Sequence, residues 1–430
     1  MTPATGSRLP LVPPAGMRDL LHPHATRRRA LARALVERFA AHGYDLVVTP
    51  PFEHAEVLER GLGPLDRRDL LRFVEPESGE VALLRPDVTP QIARLVATHL
   101  RDRPGPWRLA YEGSVVRRAR GRMHRTVQIA QAGVECIGLP SPLGDVEVVA
   151  LASRCVEAVG LGEHRVELSD VRIASSVLDE LPEALRDAAA QALDRRDAAA
   201  LERLAREARC HAALRRALPW LCEAQGGREV LDRARRTPPR PAWKTALDAL
   251  TDLWDELDAE GLGDRLLVDL GEVRGAAYYT GPSFRLLAEG PSGPVGAGGR
   301  YDELLPRFGL EAPATGFALD LDALEQALEH AGTARPLSVP VRIAVGGRGR
   351  LEPFARTLRE VGATVAALPL EEPRQALAFA QAWGYDAVVV LGGDAVRATR
   401  VRDGARRTWS AGRLRPVALC AWACGRTVEA

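Results

Sequence analysis

The stretch Tyr111–Gly138, YEGSVVRRARGRMHRTVQIAQAGVECIG, constrains the fold more than any other part of the chain. It reads as strand, loop, strand. Val115 and Val116 close an apolar, β-rich run. The loop that follows holds five arginines in nine positions: Arg117, Arg118, Arg120, Arg122 and Arg125. Val127, Ile129, Gln131, Gly133 and Glu135 then alternate with their neighbours at period two, as a half-buried strand does. Gln131 and Glu135 therefore share a face. A hairpin with an arginine fork at its turn and polar side chains on one face suits an anion and a small polar ligand. The plainer alternative is a surface hairpin with solvated arginines.

A chain of 430 residues suggests two or three domains. Its net charge of +1 gives no bulk electrostatic drive toward nucleic acid or a membrane surface. Lys244 is the only lysine, which argues against P-loop or Schiff-base lysine chemistry. Cys136, Cys155, Cys210, Cys222, Cys420 and Cys424 are scattered, and no Cys/His cluster completes a zinc site. Reduced thiols in a cytoplasmic protein are expected. No apolar run approaches a membrane span, and the proline-rich residues 1–16 read as a loose leader rather than a secretory signal.

In chain order, residues 24–44 have helical spacing of Leu31, Leu35 and Phe39, stopped by Gly43. A strand, Asp45–Thr49, ends at Pro50-Pro51. A short strand at 81–84 leads into Arg85-Pro86-Asp87-Val88-Thr89 and a helix to about Leu100, with Pro90 in its first turn. Thr89 has two roles open to it: N-cap of that helix, or pocket residue. Residues 145–159 suggest a buried helix and 166–168 a strand. Residues 171–260 are strongly helical and show no chemistry. Residues 266–269 read as a strand, 283–287 with 296–301 as a hairpin, and 316–328 as strand into helix. After a linker at 331–340, residues 341–393 alternate as a small α/β domain. The basic stretch Arg397–Arg415 reads as a hairpin or a solvated surface.

LLRPDVTPQIAR (83–94), the arginine hairpin, VRGAAYYTG (273–281) and GAGGRYDELL (296–305) together resemble the ordered signatures of the class II histidyl-tRNA synthetase family, across roughly residues 13–330. The resemblance implies an α+β fold. A class II aminoacyl-tRNA synthetase-like antiparallel sheet is flanked by helices over residues 1–335. A helical insertion falls at about 171–260, and a small C-terminal α/β domain at 336–430. The helix, strand and prolines near residue 50 resemble the element such proteins use to dimerise.

The resemblance also implies a histidine pocket. Asp87, Thr89 and Gln131 would take the ammonium, and Arg274, Arg117 or Gln131 the carboxylate. Glu135 with Tyr279 would take the imidazole, with Tyr278 and Tyr301 alongside. Asp87 stands where the synthetases carry Glu. The nucleotide half departs further. Ala119 stands in place of an adenine-binding Glu, Ile129 in place of a stacking Phe, and Asp320 and Ala323 in place of the Gly and Arg of the third motif. Ala276-Ala277 replace Leu-Asp. Arg117 and Arg125 match phosphate contacts, yet Asp320 would face a polyphosphate with no cation opposite. Losing one preorganised transition-state donor typically costs about 10²–10³ in rate.

An amino-acid half kept while the nucleotide half is dismantled is similar to the family's catalytically silent relative, the regulatory subunit of short-form ATP phosphoribosyltransferase. That resemblance implies no catalytic residues, no cofactor and no metal. It implies a separate catalytic subunit as partner, a homodimer within a hetero-oligomer, and histidine as effector. No membrane or nucleic-acid partner is expected. A working histidyl-tRNA synthetase and an amino-acid-sensing or RNA-binding paralogue are the alternatives.

Overall fold

A computed structural model describes residues 11–14, 16–61, 70–117, 128–236, 241–273, 279–333, 340–347, 351–369 and 372–425. The chain divides into two compact units, Met1–Asp19 with Leu31–Arg335, and Leu20–Ala30 with Pro336–Ala430.

The strands of the first unit are β1 Asp45–Leu46, β2 Phe52–His54, β3 Arg72–Val74, β4 Val81–Leu84, β5 Trp107–Val116, β6 Gln128–Ile137, β7 Arg165–Asp170, β8 Gln225–Gly226, β9 Leu266–Asp269, β10 Pro282–Leu287, β11 Gly296–Arg300 and β12 Ala314–Asp320. Nine of them form one sheet in the order β1-β5-β6-β12-β11-β10-β7-β9-β8, and β2-β4-β3 form a small second sheet. The large sheet is mixed rather than antiparallel throughout. Its centre is antiparallel, but β1 pairs with β5 and β7 with β9 in parallel. A parallel pair needs a crossover rather than a hairpin. The chain supplies one through residues 47–106 and the other through the helical insertion.

Helix α1, His24–Ala41, buries Leu31, Ala32, Leu35 and Phe39. It ends as its sequence dictates. Gly43 has φ +81°, and the Gly43 and Tyr44 amides donate back to Ala40 and Phe39. This glycine-based cap satisfies the last carbonyls. Phe39 meets Phe317 of β12 edge to face at 5.8 Å. Helix α2 is Ala55–Gly61, and α3 is Thr89–Leu95, continued by one π-helical turn to Leu100. Helix α4 is Leu143–Ala158. The insertion consists of α5 Val171–Leu178, α6 Glu183–Asp194, α7 Ala198–Glu207, α8 Ala212–Glu223, α9 Arg228–Arg236 and α10 Pro241–Ala259. Helix α11, Leu321–His330, follows β12 directly. The two faces of the sheet are distinct. Val88, Ile92 and Val96, from α3 and its flanks, share one cluster with Leu109, Tyr111 and Val115 of β5 and with Tyr301. Phe317 lies on the opposite face.

The second unit has strands β13 Arg342–Gly347, β14 Thr364–Ala367, β15 Ala387–Gly392, β16 Ala395–Arg400 and β17 Arg406–Ser410, in the order β14-β13-β15-β16-β17. The first three are parallel, joined through α12 Leu351–Glu360 and α13 Pro373–Ala382. The basic stretch from Arg397 contributes the antiparallel β16–β17 hairpin and leads into α14, Pro416–Ala423. No helix among the described residues is long and apolar enough to cross a membrane.

Candidate functional site

The site begins with a floor that has almost no side chains. Register places Gly133 of β6 between Tyr111 of β5 and Ala318 of β12, and Glu135 between Leu109 and Gly316. One strand further, Ala297 lies opposite Ala318 and Gly299 opposite Gly316. Alternation puts these residues on the same face as Glu135. The glycines are required by close approach. A Cβ on Gly133 would lie 2.6 Å from the Tyr111 hydroxyl and collide with the Phe317 carbonyl. A Cβ on Gly316 would collide with Glu135 Oε2.

Glu135 stands over this floor, only 1% exposed. The Thr89 hydroxyl donates to Oε1 at 2.5 Å, and the Tyr301 hydroxyl donates to Oε2. Burial pushes the Glu135 carboxyl well above the usual carboxylate range. The Thr89 hydrogen bond opposes that shift and the nearby Asp87 charge reinforces it. Burial also raises the Tyr111 and Tyr279 phenols, with Glu135 and Asp87 adding to both. Arg117 sits at the rim. Its Nε donates to the Pro86 carbonyl at 2.7 Å, and its guanidinium is 3.8 Å from Asp87. Gln131 is partly buried on the same face, opposite Gly113 and Asp320. The structure thus brings together Asp87, Thr89, Arg117, Glu135, Tyr279 and Tyr301 and puts Gln131 on their face. Arg274 and Tyr278 lie outside the described residues, as do Ala119, Arg125 and Ala276-Ala277.

One sequence reading needs correction. Thr89 is not the N-cap of α3. It is the first helical residue, and Asp87 Oδ1 accepts its backbone N–H at 3.0 Å. That releases the Thr89 hydroxyl for Glu135. Asp320, partly buried and opposite Gln131 in register, has a structural role as well. It is the N-cap of α11, accepting the N–H groups of Asp322 at 2.9 Å and Ala323 at 3.1 Å. Asp322 in turn pairs with Arg18.

The sequence reading also missed residues around the site. Tyr111, on the site face of β5, was detectable from the alternation that picked out Gln131. On the far side of the floor, Arg285 of β10 faces Ala297 and Glu167. Its guanidinium pairs with Glu167, lies 3.1 Å from Glu272 and is 3.6 Å from Asp269, which also pairs with Arg196. Glu167, Asp269 and Glu272 have carboxylate oxygens within 4.8 Å of one another. With Arg285 among them, they form an ion-pair network. Nothing local in the sequence marks it, because its members come from separate elements.

The raised Glu135 carboxyl has a measurable consequence. Between the ordinary glutamate range and its raised value, the folded chain holds a proton that the unfolded chain releases. Stability from this group is therefore lost as pH rises through that window. Glu135→Gln removes the titration. Melting temperatures of parent and variant, followed from about pH 4 to about pH 8, should show the parent losing ground to the variant as pH rises. Parallel curves would mean that Glu135 keeps an ordinary acidity.

The family model described as histidyl-tRNA synthetase matches residues 16–324, which include every residue of this site. A relative from Anaeromyxobacter dehalogenans named ATP phosphoribosyltransferase regulatory subunit is 42% identical over 79% of this chain and 98% of its own length. One of the same name from Syntrophotalea carbinolica is 36% identical over 92% of this chain and 95% of its own. The chain belongs to the histidyl-tRNA synthetase family, among its ATP phosphoribosyltransferase regulatory subunits. A solved structure from Bacillus halodurans, described as an ATP phosphoribosyltransferase regulatory subunit/histidyl-tRNA synthetase, superimposes with a TM-score of 0.76 at 28% identity, over 89% of this chain and 98% of that one. The overall fold of the chain is thus that of the family.

Proposed function

We propose that the chain is the non-catalytic regulatory subunit of an ATP phosphoribosyltransferase, required by a short catalytic subunit and conferring on it feedback inhibition by histidine. One observation carries this reading beyond the relatives' names. Glu135, Thr89 and Tyr301 form a closed, hydrogen-bonded polar set over a glycine floor, whereas Asp320, on the nucleotide side, is committed to capping α11. A buried polar set of this kind selects its ligand sharply, because a poor match leaves groups unpaired. Two lone pairs on each oxygen leave the ionised form of Glu135 acceptor capacity for an imidazole N–H, and a bound imidazole would draw the carboxyl into that form. Asp87, Thr89, Gln131, Glu135, Arg117, Arg274, Tyr278, Tyr279 and Tyr301 are the proposed histidine residues. Adenylation is not expected, since Ala119, Ile129 and Ala323 offer a nucleotide neither cation nor aromatic ring. The chain is proposed to form a homodimer through residues 40–52, where Leu46, Val48 and Phe52 are exposed apolar side chains.

The test is co-expression with a short phosphoribosyltransferase. The two should co-purify, light scattering should show at least two copies of this chain, and histidine should inhibit the transferase only when this chain is present. The purified chain alone should give no histidine-dependent pyrophosphate exchange with ATP. Exchange above a no-enzyme blank would instead establish the synthetase reading.

A further inference from the structure

Arg85 is 8% exposed and has no carboxylate partner among the described residues. Its Nε donates to the Ser114 carbonyl at 2.8 Å. Its Nη1 donates to the Thr49 carbonyl at 3.1 Å, the Thr49 hydroxyl at 2.9 Å and, more weakly, the Pro50 carbonyl at 3.4 Å. Every acceptor is neutral. Nη2 has no hydrogen-bond partner among the described residues. It lies in the space that a Cβ on Gly113 would fill, on the site face of β5. Gly113 is directly opposed to Gln131, and side chains on opposed positions lie about 4.5–5.5 Å apart. The main chain of Arg85 is fixed too. Its N–H donates to the Pro51 carbonyl and its carbonyl accepts from Val116.

A buried guanidinium surrounded only by neutral acceptors lacks the counter-charge such groups normally have. We propose that the counter-charge is the carboxylate of the amino-acid effector, held by Arg85 Nη2 beside Gln131. This rests on the histidine reading of the same pocket and assigns the carboxylate end that the sequence left to Arg117, Arg274 or Gln131. Arg117 is half exposed and already donates to Pro86, and it faces Asp87, which repels an anion. Arg85 is held by residues 49–51 and by β5 before any ligand arrives, so it is preorganised for a planar anion.

The test titrates the full-length chain with L-histidine and with L-histidinol, which lacks the carboxylate. The unmodified chain should bind histidine about 10- to 100-fold more tightly than histidinol. In Arg85→Gln that preference should collapse through loss of histidine affinity, with histidinol affinity kept. Equal affinity of the unmodified chain for both ligands overturns the proposal, and so does a folded Arg85→Gln that keeps the preference. Should that variant fail to fold, Gly113→Ala, which displaces Nη2, should abolish the preference in its place. A second arm separates this proposal from the histidine reading. Acetate replaces chloride at constant ionic strength, and melting temperature is followed. If histidine does not bind but acetate stabilises the parent and not Arg85→Gln, the histidine reading fails and the anion anchor stands. If neither histidine nor acetate acts through Arg85, the guanidinium only clamps Thr49, Pro50 and Ser114.

Discussion

Gly316→Ala should destabilise the first unit by about 3 kcal/mol and abolish any ligand binding that depends on Glu135. The new Cβ would meet Glu135 Oε2 and the Val134 carbonyl. Neither can yield cheaply. Val134 is buried within β6 and paired with Phe317, and Glu135 is tied to Thr89 and Tyr301. The added methyl must push the carboxyl off its two hydroxyl donors or spread β6 from β12. Overpacking of a close-packed interior costs about 1–3 kcal/mol, occasionally more. Here a severed buried hydrogen bond is added, worth about 1–3 kcal/mol when a partner is left unsatisfied. Gly162→Ala is the control, since a Cβ there meets nothing within 4 Å and its φ is not positive. It should change stability by less than about 0.5 kcal/mol. Urea denaturation measures both. A loss at Gly316 below about 1 kcal/mol would mean that the sheet opens readily and that the floor does not set the position of Glu135.

The hairpin shows which parts of this site a sequence displays. Period-two alternation locates β6 and puts Gln131 and Glu135 on one face, because the pleat leaves no other option. Glycines at 133 and 316 mark close approach, but which groups approach depends on strands brought together over long separations. The same limit hid the mixed character of the sheet. Parallel pairing of β1 with β5 and of β7 with β9 is decided by where crossovers land, not by the composition of short strands. Thr89 and Asp320 show a subtler limit. Both occupy positions where a hydroxyl or carboxylate can cap a helix, and local sequence cannot say which residue caps. Asp87 takes the exposed amide at α3, so Thr89 is free to reach Glu135, 46 positions away. Arg85 and Arg300 are unremarkable arginines in an arginine-rich chain. Only burial separates them from the others.

Arg300→Met should cost about 3–5 kcal/mol, because it leaves Asp145 as an uncompensated buried charge. Both side chains are 3% exposed. Arg300 Nε donates to both Asp145 oxygens, at 2.9 and 3.0 Å, and its Nη1 and Nη2 reach the Leu139 carbonyl at 3.3 Å. Asp145→Ala should cost less, toward about 3 kcal/mol, since Arg300 keeps Asp302 at 3.0 Å as a partly exposed partner. The double variant should lose clearly less than the sum of the two, because removing both members orphans neither charge. Additive losses would show that the pair is not the unit that matters. The pair also bears on the pocket. Arg300 ends β11, and its carbonyl accepts the Thr280 N–H at 2.7 Å. Arg300 reaches α4 on one side of the sheet, and Tyr301, the next residue, reaches Glu135 on the other. Anchoring Arg300 therefore fixes where the Tyr301 hydroxyl points. Tyr301→Phe at the same stability would separate the two roles. If the pair acts through Tyr301, the double variant and Tyr301→Phe should weaken histidine binding to the same extent. Full affinity in the double variant would confine Arg300 and Asp145 to holding the sheet to α4.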